Sequence, residues 1–272
     1  MNKIKNIFLL LLLGIIVIYS CDDDSRAFVN PFVDIDHEAL AISDDDTLVN
    51  FLKNHYYDKD LDSVKPLISG KTPIYDDEPN LKIMDAKRND IDYKLYVYSI
   101  SKGDPSPDVD KGEPSISDSI FAKYSGQAIL STNELSSEFD RNTSGAWFTY
   151  NTLAVRGWSY GFMNFKGGYL KKESNGDPFN GPITYLNGGK GILFIPSGLA
   201  YTSIVLNNQN SPLVNQNLMF YIELLDFVKD TDHDNDGVPS YLEDANGDGD
   251  LENDFSDPSN PTFPDYRNPN IN

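Results

Sequence analysis

The sequence predicts an α+β fold with a mostly antiparallel sheet, and three observations carry that reading. From Lys94 to Val228 the chain holds short runs rich in Val, Ile, Tyr and Phe: "KLYVYSI", "SDSIFAKYSGQAIL", "KGILFIPS" and "LMFYIELLDFV". Turn residues bound each run, as strands require. No βαβ alternation links them, and one segment among them, "RGWSYGFMNF", reads as an internal helix.

The flanking segments have their own logic. At the start, Lys3 and Lys5 precede an apolar run from Ile7 to Ile18, followed by Tyr19, Ser20 and Cys21. A basic start, a short apolar stretch and a small residue predict a signal peptide over 1–20; the run is too short for a comfortable transmembrane helix. Cys21 is the only cysteine, so it forms no internal disulfide, and it stands where a bacterial lipobox places its lipidated residue. This predicts a lipid-anchored protein of the bacterial outer membrane. The acidic run Asp22, Asp23 and Asp24 resembles a surface-export signal, which leaves the periplasmic face and the cell surface both open.

Residues 21–93 read as an irregular linker with one short helix in "SDDDTLVNFLKNHYYD". Ser43 or Asp44 is the candidate cap, and Leu48, Phe51, Leu52 and Tyr56 recur at helical spacing. Residues 94–228 form the main domain. Residues 229–257 are Asp- and Gly-rich, and 258–272, "SDPSNPTFPDYRNPNIN" at its fullest, reads as extended or disordered.

Composition excludes several functions. With 39% hydrophobic and 12% aromatic residues the chain can build a real core. A formal charge of −20 argues against nucleic acid, whose phosphates it would repel. The three histidines are His37, His55 and His233, all outside 94–228. That removes a Ser-His-Asp or Cys-His machine, and a histidine-rich zinc site, from the main domain. No phosphate-cradling loop appears; "NGGKG" is better read as a strand-entry turn. Paired carboxylates for glycoside chemistry are not singled out by anything in the sequence.

What remains is a density of aromatic groups around a few polar ones. "VRGWSYGF" followed by "GILFIPSGLAY" resembles the signature of the FKBP-type peptidyl-prolyl cis-trans isomerases. Upstream, "KYSGQAIL" and "EFDRN" are similar to that family's tyrosine strand and Phe-Asp pair. Downstream, "LMFYIELLDF" resembles its final strand, and the pieces lie in family order over 94–228. The resemblance implies an FKBP-like antiparallel β-sheet wrapped on one central α-helix. It also implies isomerisation of X-Pro bonds in proline-containing peptides or unfolded exported proteins, with no catalytic cofactor. By the same resemblance Trp158 floors a pocket walled by Tyr124, Phe139, Val155, Tyr201, Phe220 and Phe148, or Trp147 in place of Phe148. Asp140 stands near the twisting peptide and Tyr201 offers its hydroxyl to a substrate carbonyl. Ala200 lies beside it, and Val214 falls on the closing loop. Three departures stand out: "YLKKESNGDPFNGPITYLNG" (169–188) is an insertion, Thr202 replaces a common glycine, and "SIVLNNQNSPLVNQN" lacks the usual proline pair.

The tail carries different chemistry. In "DHDNDGVPSYLE", Asp232, Asp234 and Asp236 take places one, three and five, with Gly237 at six. Val238 can offer a carbonyl at seven and Glu243 stands at twelve, the spacing of a calcium loop. A partial set follows in Asp244, Asn246, Asp248 and Asp250, with Phe255 at its twelfth place. Pro239 and the missing flanking helices argue against an EF-hand, and the tandem loops resemble thrombospondin type 3 repeats. Calcium is expected to be structural. Three functions follow: an envelope isomerase, a non-catalytic peptide-binding module on the same pocket, or a surface element whose acidic tail does the work.

Overall fold

The computed structural model describes residues 35–105, 108–204 and 211–271. The expected signal segment and Cys21 lie outside them. No helix among the described residues is long and apolar enough to cross a membrane. In chain order the elements are helix α1 (His37–Lys53), β1 (His55–Asp58), β2 (Ser63–Pro66), β3 (Leu81–Arg88), β4 (Ile91–Ser101) and β5 (Ser119–Ser131). There follow β6 (Glu134–Leu135), β7 (Asp140–Phe148), helix α2 (Gly157–Phe162), β8 (Tyr169–Leu170), β9 (Tyr185–Leu186), β10 (Gly189–Ile195) and β11 (Asn217–Val228).

Seven strands form one sheet in the order β3-β4-β10-β11-β5-β6, with β7 paired to β5. Every pairing in it is antiparallel. The register places Leu193 opposite Phe220 and Phe220 opposite Gly126. Side chains alternate across a strand, so each central strand feeds both faces. Leu95, Val97, Leu193, Ile195, Leu218 and Phe220 face α2 with its Trp158 and Phe162. Tyr96, Tyr98, Ile192, Phe194 and Met219 face the other way, onto Leu48, Phe51 and Leu52 of α1. Both faces are covered, which explains why "ILFI" is an unbroken apolar run: a strand buried on each side has no solvent face to make polar.

Several expectations for the flanks need correction. Residues 21–93 are more than a linker with one helix. Among the described ones, β1 and β2 form a hairpin, and β3 is an edge strand of the main sheet. The expected boundary at residue 94 falls inside β4. Strand β3 is unmarked in the sequence because "LKIMDAKR" is an edge strand with charges at Lys82, Asp85 and Lys87, the usual guard against edge-to-edge pairing. Helix α1 starts six residues before the expected cap. Asp36 is the cap, its side chain accepting from the Ala39 amide at 3.0 Å. Ser43 and Asp44 are interior.

The tail is also not extended. Residues 265–267 form a turn of 3-10 helix, and Tyr266 is fully buried against Tyr150 and Leu251. Residues 169–188 form a small arm closed by the β8–β9 pair and a bridge between Lys172 and Pro178.

Candidate functional site

Helix α2 is only six residues long, and all six are buried. Its two glycines bring it hard against β10: a Cβ on Gly157 would meet Ile195 Cγ2 at 2.5 Å, and one on Gly161 would meet Leu193 Cδ1 at 2.5 Å. This close approach sets the depth of Trp158. The indole is 3% exposed and ringed edge-on by Tyr124 at 4.9 Å, Phe148 at 5.0 Å, Phe220 at 5.2 Å and Phe162 at 5.7 Å. Edge-to-face contacts of this kind match the ring quadrupoles and hold the indole in place. Behind it only about 10 Å³ is open, among Phe148, Leu153 and Phe162, so the floor has nowhere to retreat. The indole Nε1 has no hydrogen-bond partner.

Above this floor the walls are half-buried. Phe139 packs edge-on to Phe220 at 5.7 Å, and Gly126 makes that possible, because a Cβ there would meet Phe220 Cε1 at 2.5 Å and Phe139 Cζ at 2.8 Å. At the rim the Tyr124 hydroxyl donates to Asp140 Oδ2 at 2.8 Å. Burial, then that hydrogen bond, pushes the Tyr124 hydroxyl up to about 12. Burial, then the Asp140 charge, also holds the Tyr201 hydroxyl above its ordinary value, so it remains a protonated donor at neutral pH.

The turn before Tyr201 is braced from both sides of the sheet. Arg88, at the end of β3, donates through Nη1 to Gly198 O at 3.0 Å and Ala200 O at 3.1 Å. Asp44 accepts from the Ser197 amide at 2.9 Å and its hydroxyl at 2.6 Å. Neither brace was legible as a site residue, since both come from the stretch that reads as linker. Phe162 was the more findable omission, one helical turn after Trp158 on the same face.

Of the expected pocket residues, Tyr124, Phe139, Phe148, Val155, Trp158, Ala200, Tyr201 and Phe220 gather in one core cluster. Asp140 joins through Tyr124. Of the two candidates at 147 and 148, Phe148 is the one on Trp158; Trp147 is half-exposed and stacks on Phe121 at 5.2 Å. Val214 is buried, and the Asn215 amide beside it donates to Tyr201 O at 2.9 Å. A separate open cavity of about 410 Å³, lined by Lys123, Lys190, Tyr221 and Glu223, touches Tyr124 but not Trp158, Asp140 or Tyr201.

In the tail, ligand atoms of Asp232, Asp234 and Asp236 lie within 4.8 Å of one another. Glu243 is buried, and neither of its carboxylate oxygens has a partner; Oδ2 of Asp234 and of Asp236 is likewise unpaired. Burial, then the charges of Asp234, Asp236 and Asp232, pushes the Glu243 carboxyl up to about 8. Oxygen donors crowded and unpaired in this way fit a hard cation such as calcium. Val238 holds the seventh place, its amide donating to Asp236 Oδ1 at 2.8 Å. In the second loop Asp244, Asn246 and Asp248 accept from nearby loop amides. Asp250 does not join them: its Oδ2 accepts from the Asn89 amide at 3.0 Å, and Arg156 and Arg88 are the cations beside it. It stands at place seven, where Val238 stands in the first loop, so its side chain is free to turn to the sheet.

No protein-family model matches the chain, and no curated protein matches it. Solved structures that match include a peptidyl-prolyl cis-trans isomerase from Pseudomonas syringae pathovar tomato, 16% identical, over 72% of this chain and 98% of that one, with a TM-score of 0.39. FkpA from Escherichia coli is 22% identical over 56% of this chain and 54% of its own, with a TM-score of 0.35. A multi-domain immunophilin from Arabidopsis thaliana is 14% identical over 55% of this chain and 47% of its own, at 0.34. At such values the chemistry is a matter for this chain's own residues.

Proposed function

We propose that the chain is a peptidyl-prolyl cis-trans isomerase of the FKBP type, acting on X-Pro bonds of exported proteins in the bacterial envelope. In this reading Cys21 carries the lipid that holds it at the outer membrane, and calcium in the first tail loop is structural. The observation that carries the activity is the aromatic box around Trp158, with Asp140 and Tyr201 at its rim.

Rotating a peptide bond means losing amide resonance, a barrier of about 18 to 20 kcal/mol. X-Pro bonds are the natural target, since their cis and trans forms lie within about 0.5 to 1 kcal/mol. The twisted amide has less charge separation than the planar one, so a dry aromatic floor favours it over the ground state. Trp158 receives the proline ring, Phe139 and Phe148 confine it, and the preceding carbonyl swings toward the rim. There the Tyr201 hydroxyl donates to a substrate carbonyl. Asp140 orients Tyr124 through their hydrogen bond and sets the field at the lip. No nucleophile is needed, so the histidine-free domain is no obstacle.

The test is cis-to-trans relaxation of a short Leu-Pro or Phe-Pro peptide, with and without the protein. Wild type accelerates it. Tyr201→Phe and Asp140→Asn each slow the catalysed rate roughly 2- to 12-fold, the value of a neutral hydrogen bond of about 0.5 to 1.5 kcal/mol, and both stay folded. A folded wild type that binds the peptide without accelerating it overturns the enzyme reading in favour of a binding module.

A further inference from the structure

A cavity of about 400 Å³ lies beside the candidate pocket, where the end of β3, the turn before α2, the turn around Tyr201 and the tail meet. It shares Ala200 with the aromatic cluster around Trp158. Two more of its walls adjoin that cluster in the chain: Ala154 precedes Val155, and Thr202 follows Tyr201. A peptide advances about 3.3 Å per residue, so side chains a few places from a proline on Trp158 come within reach of it.

Three guanidiniums line this cavity, those of Arg88, Arg156 and Arg267, against two carboxylates, Asp250 and Glu252. Their pairing is incomplete. Arg156 pairs with Oε1 of Glu252 and Arg267 with its Oε2, so one carboxylate serves two cations. Oε1 also accepts from the Tyr266 hydroxyl at 2.6 Å. Arg88 donates to the Gly198 and Ala200 carbonyls rather than to a carboxylate. Asp250 turns its Oδ2 to the Asn89 amide at 3.0 Å, and its Oδ1 has no hydrogen-bond partner. Arg88 and Arg156 are only 7% and 6% exposed, and a buried charge without a full partner is costly. Burial, then the Arg156 charge, holds the Arg88 guanidinium below its ordinary value.

The sign of this cavity sets it apart. The chain carries a net charge of −20, yet here the lining groups leave an excess of one positive charge. The other open cavity, at Tyr124, is balanced: Lys123, Arg141 and Lys190 face Asp62, Glu138 and Glu223.

We propose that the arginine-lined cavity is a carboxylate subsite of the peptide site, in which Arg88, Arg156 and Arg267 receive the side chain of an Asp or Glu near the substrate proline. This rests on the isomerase reading of the Trp158 pocket. The fork of N–H donors on a guanidinium matches the two oxygens of a carboxylate, and such charge-assisted bonds are about twice as strong as neutral ones. An excess of one positive charge suits a monoanion better than a doubly charged phosphate. Arg267 belongs to the 3-10 turn near the chain's end, so the tail takes part in substrate choice.

The test uses the full chain in detergent and a set of Leu-Pro peptides. Glu, Gln and Lys are exchanged in turn at the two positions on either side of the Leu-Pro pair. At one of these positions kcat/KM for Glu should exceed that for Gln roughly tenfold, the lower end for a hydrogen bond to a charged group, and Lys should be the poorest. Equal rates for Glu and Gln at every position overturn the subsite and leave the isomerase reading standing. If no peptide is accelerated, the isomerase reading falls, and calorimetric binding of the same peptides decides the subsite by the same ratio. Arg267→Gln removes one guanidinium, and Asn151→Asp adds a negative charge at an exposed position on the cavity wall. Each should bring the Glu-to-Gln ratio close to one, whereas Arg267→Lys should keep part of it. The ratio is taken on one preparation, so a changed folded fraction cancels. An undiminished ratio in both Arg267→Gln and Asn151→Asp overturns the assignment to this cavity.

Discussion

Asp44 is buried in the middle of α1, where it accepts two hydrogen bonds from Ser197 and so ties the N-terminal helix to the turn before Tyr201. Burial outweighs those bonds and raises its carboxyl from 3.8 to about 6. A folded-state value above the unfolded one means the protonated form is favoured on folding. Its contribution is fully present below about pH 4 and is lost as pH rises through about 6, on the order of 3 kcal/mol in all. Asp44→Asn keeps an acceptor oxygen and removes the titration. Relative to wild type the variant should gain stability between pH 4 and pH 7, by up to that amount, in urea unfolding at the two pH values. A pH-independent difference would count against a buried carboxylic acid here. The residue shows what the sequence hides at this scale. Trp158, Tyr201 and Phe220 stand out in the sequence because each lies in a marked motif, and the structure packs all three into one cluster. Asp44 reads as a cap in a run of four residues, "SDDD", and only its partner across the fold reveals its role.

At the scale of elements, the spacing of Gly157 and Gly161 decides how α2 meets β10. A methyl at Gly161 would fall 2.5 Å from Leu193 Cδ1 and 2.7 Å from Cδ2, and Leu193 is fully buried with no room to yield. Two effects oppose each other in Gly161→Ala. Replacing a helical glycine gains about 1 kcal/mol, whereas overpacking a tight core costs about 1 to 3 kcal/mol. With the leucine wholly enclosed, overpacking should win, and a net loss of about 1 to 2 kcal/mol is expected from urea unfolding. An unchanged or raised midpoint would mean that the helix is free to lift off the strand. The four strands from Ile91 to Val228 that carry most of the sheet were readable because each holds a run rich in Val, Ile, Tyr and Phe bounded by turn residues. Strand β7 was not: "DRNTSGAWF" is polar and carries Gly145 at φ +88°, so neither alternation nor an apolar run announces it. Helix α1 is marked in the sequence as a short helix against the main domain, but the face it covers is not. Its apolar stripe says that something is covered, and only the register of β10 and β11 says that it is the second face of the sheet.

At the scale of the whole molecule, composition exposes the acidic tail as a separate texture, yet the tail is bound to the domain by groups that composition cannot show. The Tyr160 and Tyr150 hydroxyls reach backbone atoms of Gly249 and Leu251, contacts spanning 89 and 101 residues. Tyr266 stacks edge-on to Tyr150 at 5.4 Å, and both rings are all but inaccessible. If the tail were an independent adhesive element, deleting residues 230–272 would leave the rest as stable as before. Removing it instead uncovers the Tyr150 ring and strips Arg156 of its Glu252 partner beside the helix that carries Trp158. Fully burying a large apolar side chain is worth about 1.5 to 3 kcal/mol, and unpairing a nearly buried guanidinium adds to that loss. The truncated chain should therefore lose about 2 to 4 kcal/mol in urea unfolding, and its prolyl-peptide relaxation rate should fall with the folded fraction as denaturant or temperature rises. Coincident unfolding curves for the full and truncated chains would show the tail to be a passenger. A shifted curve would make it part of the domain.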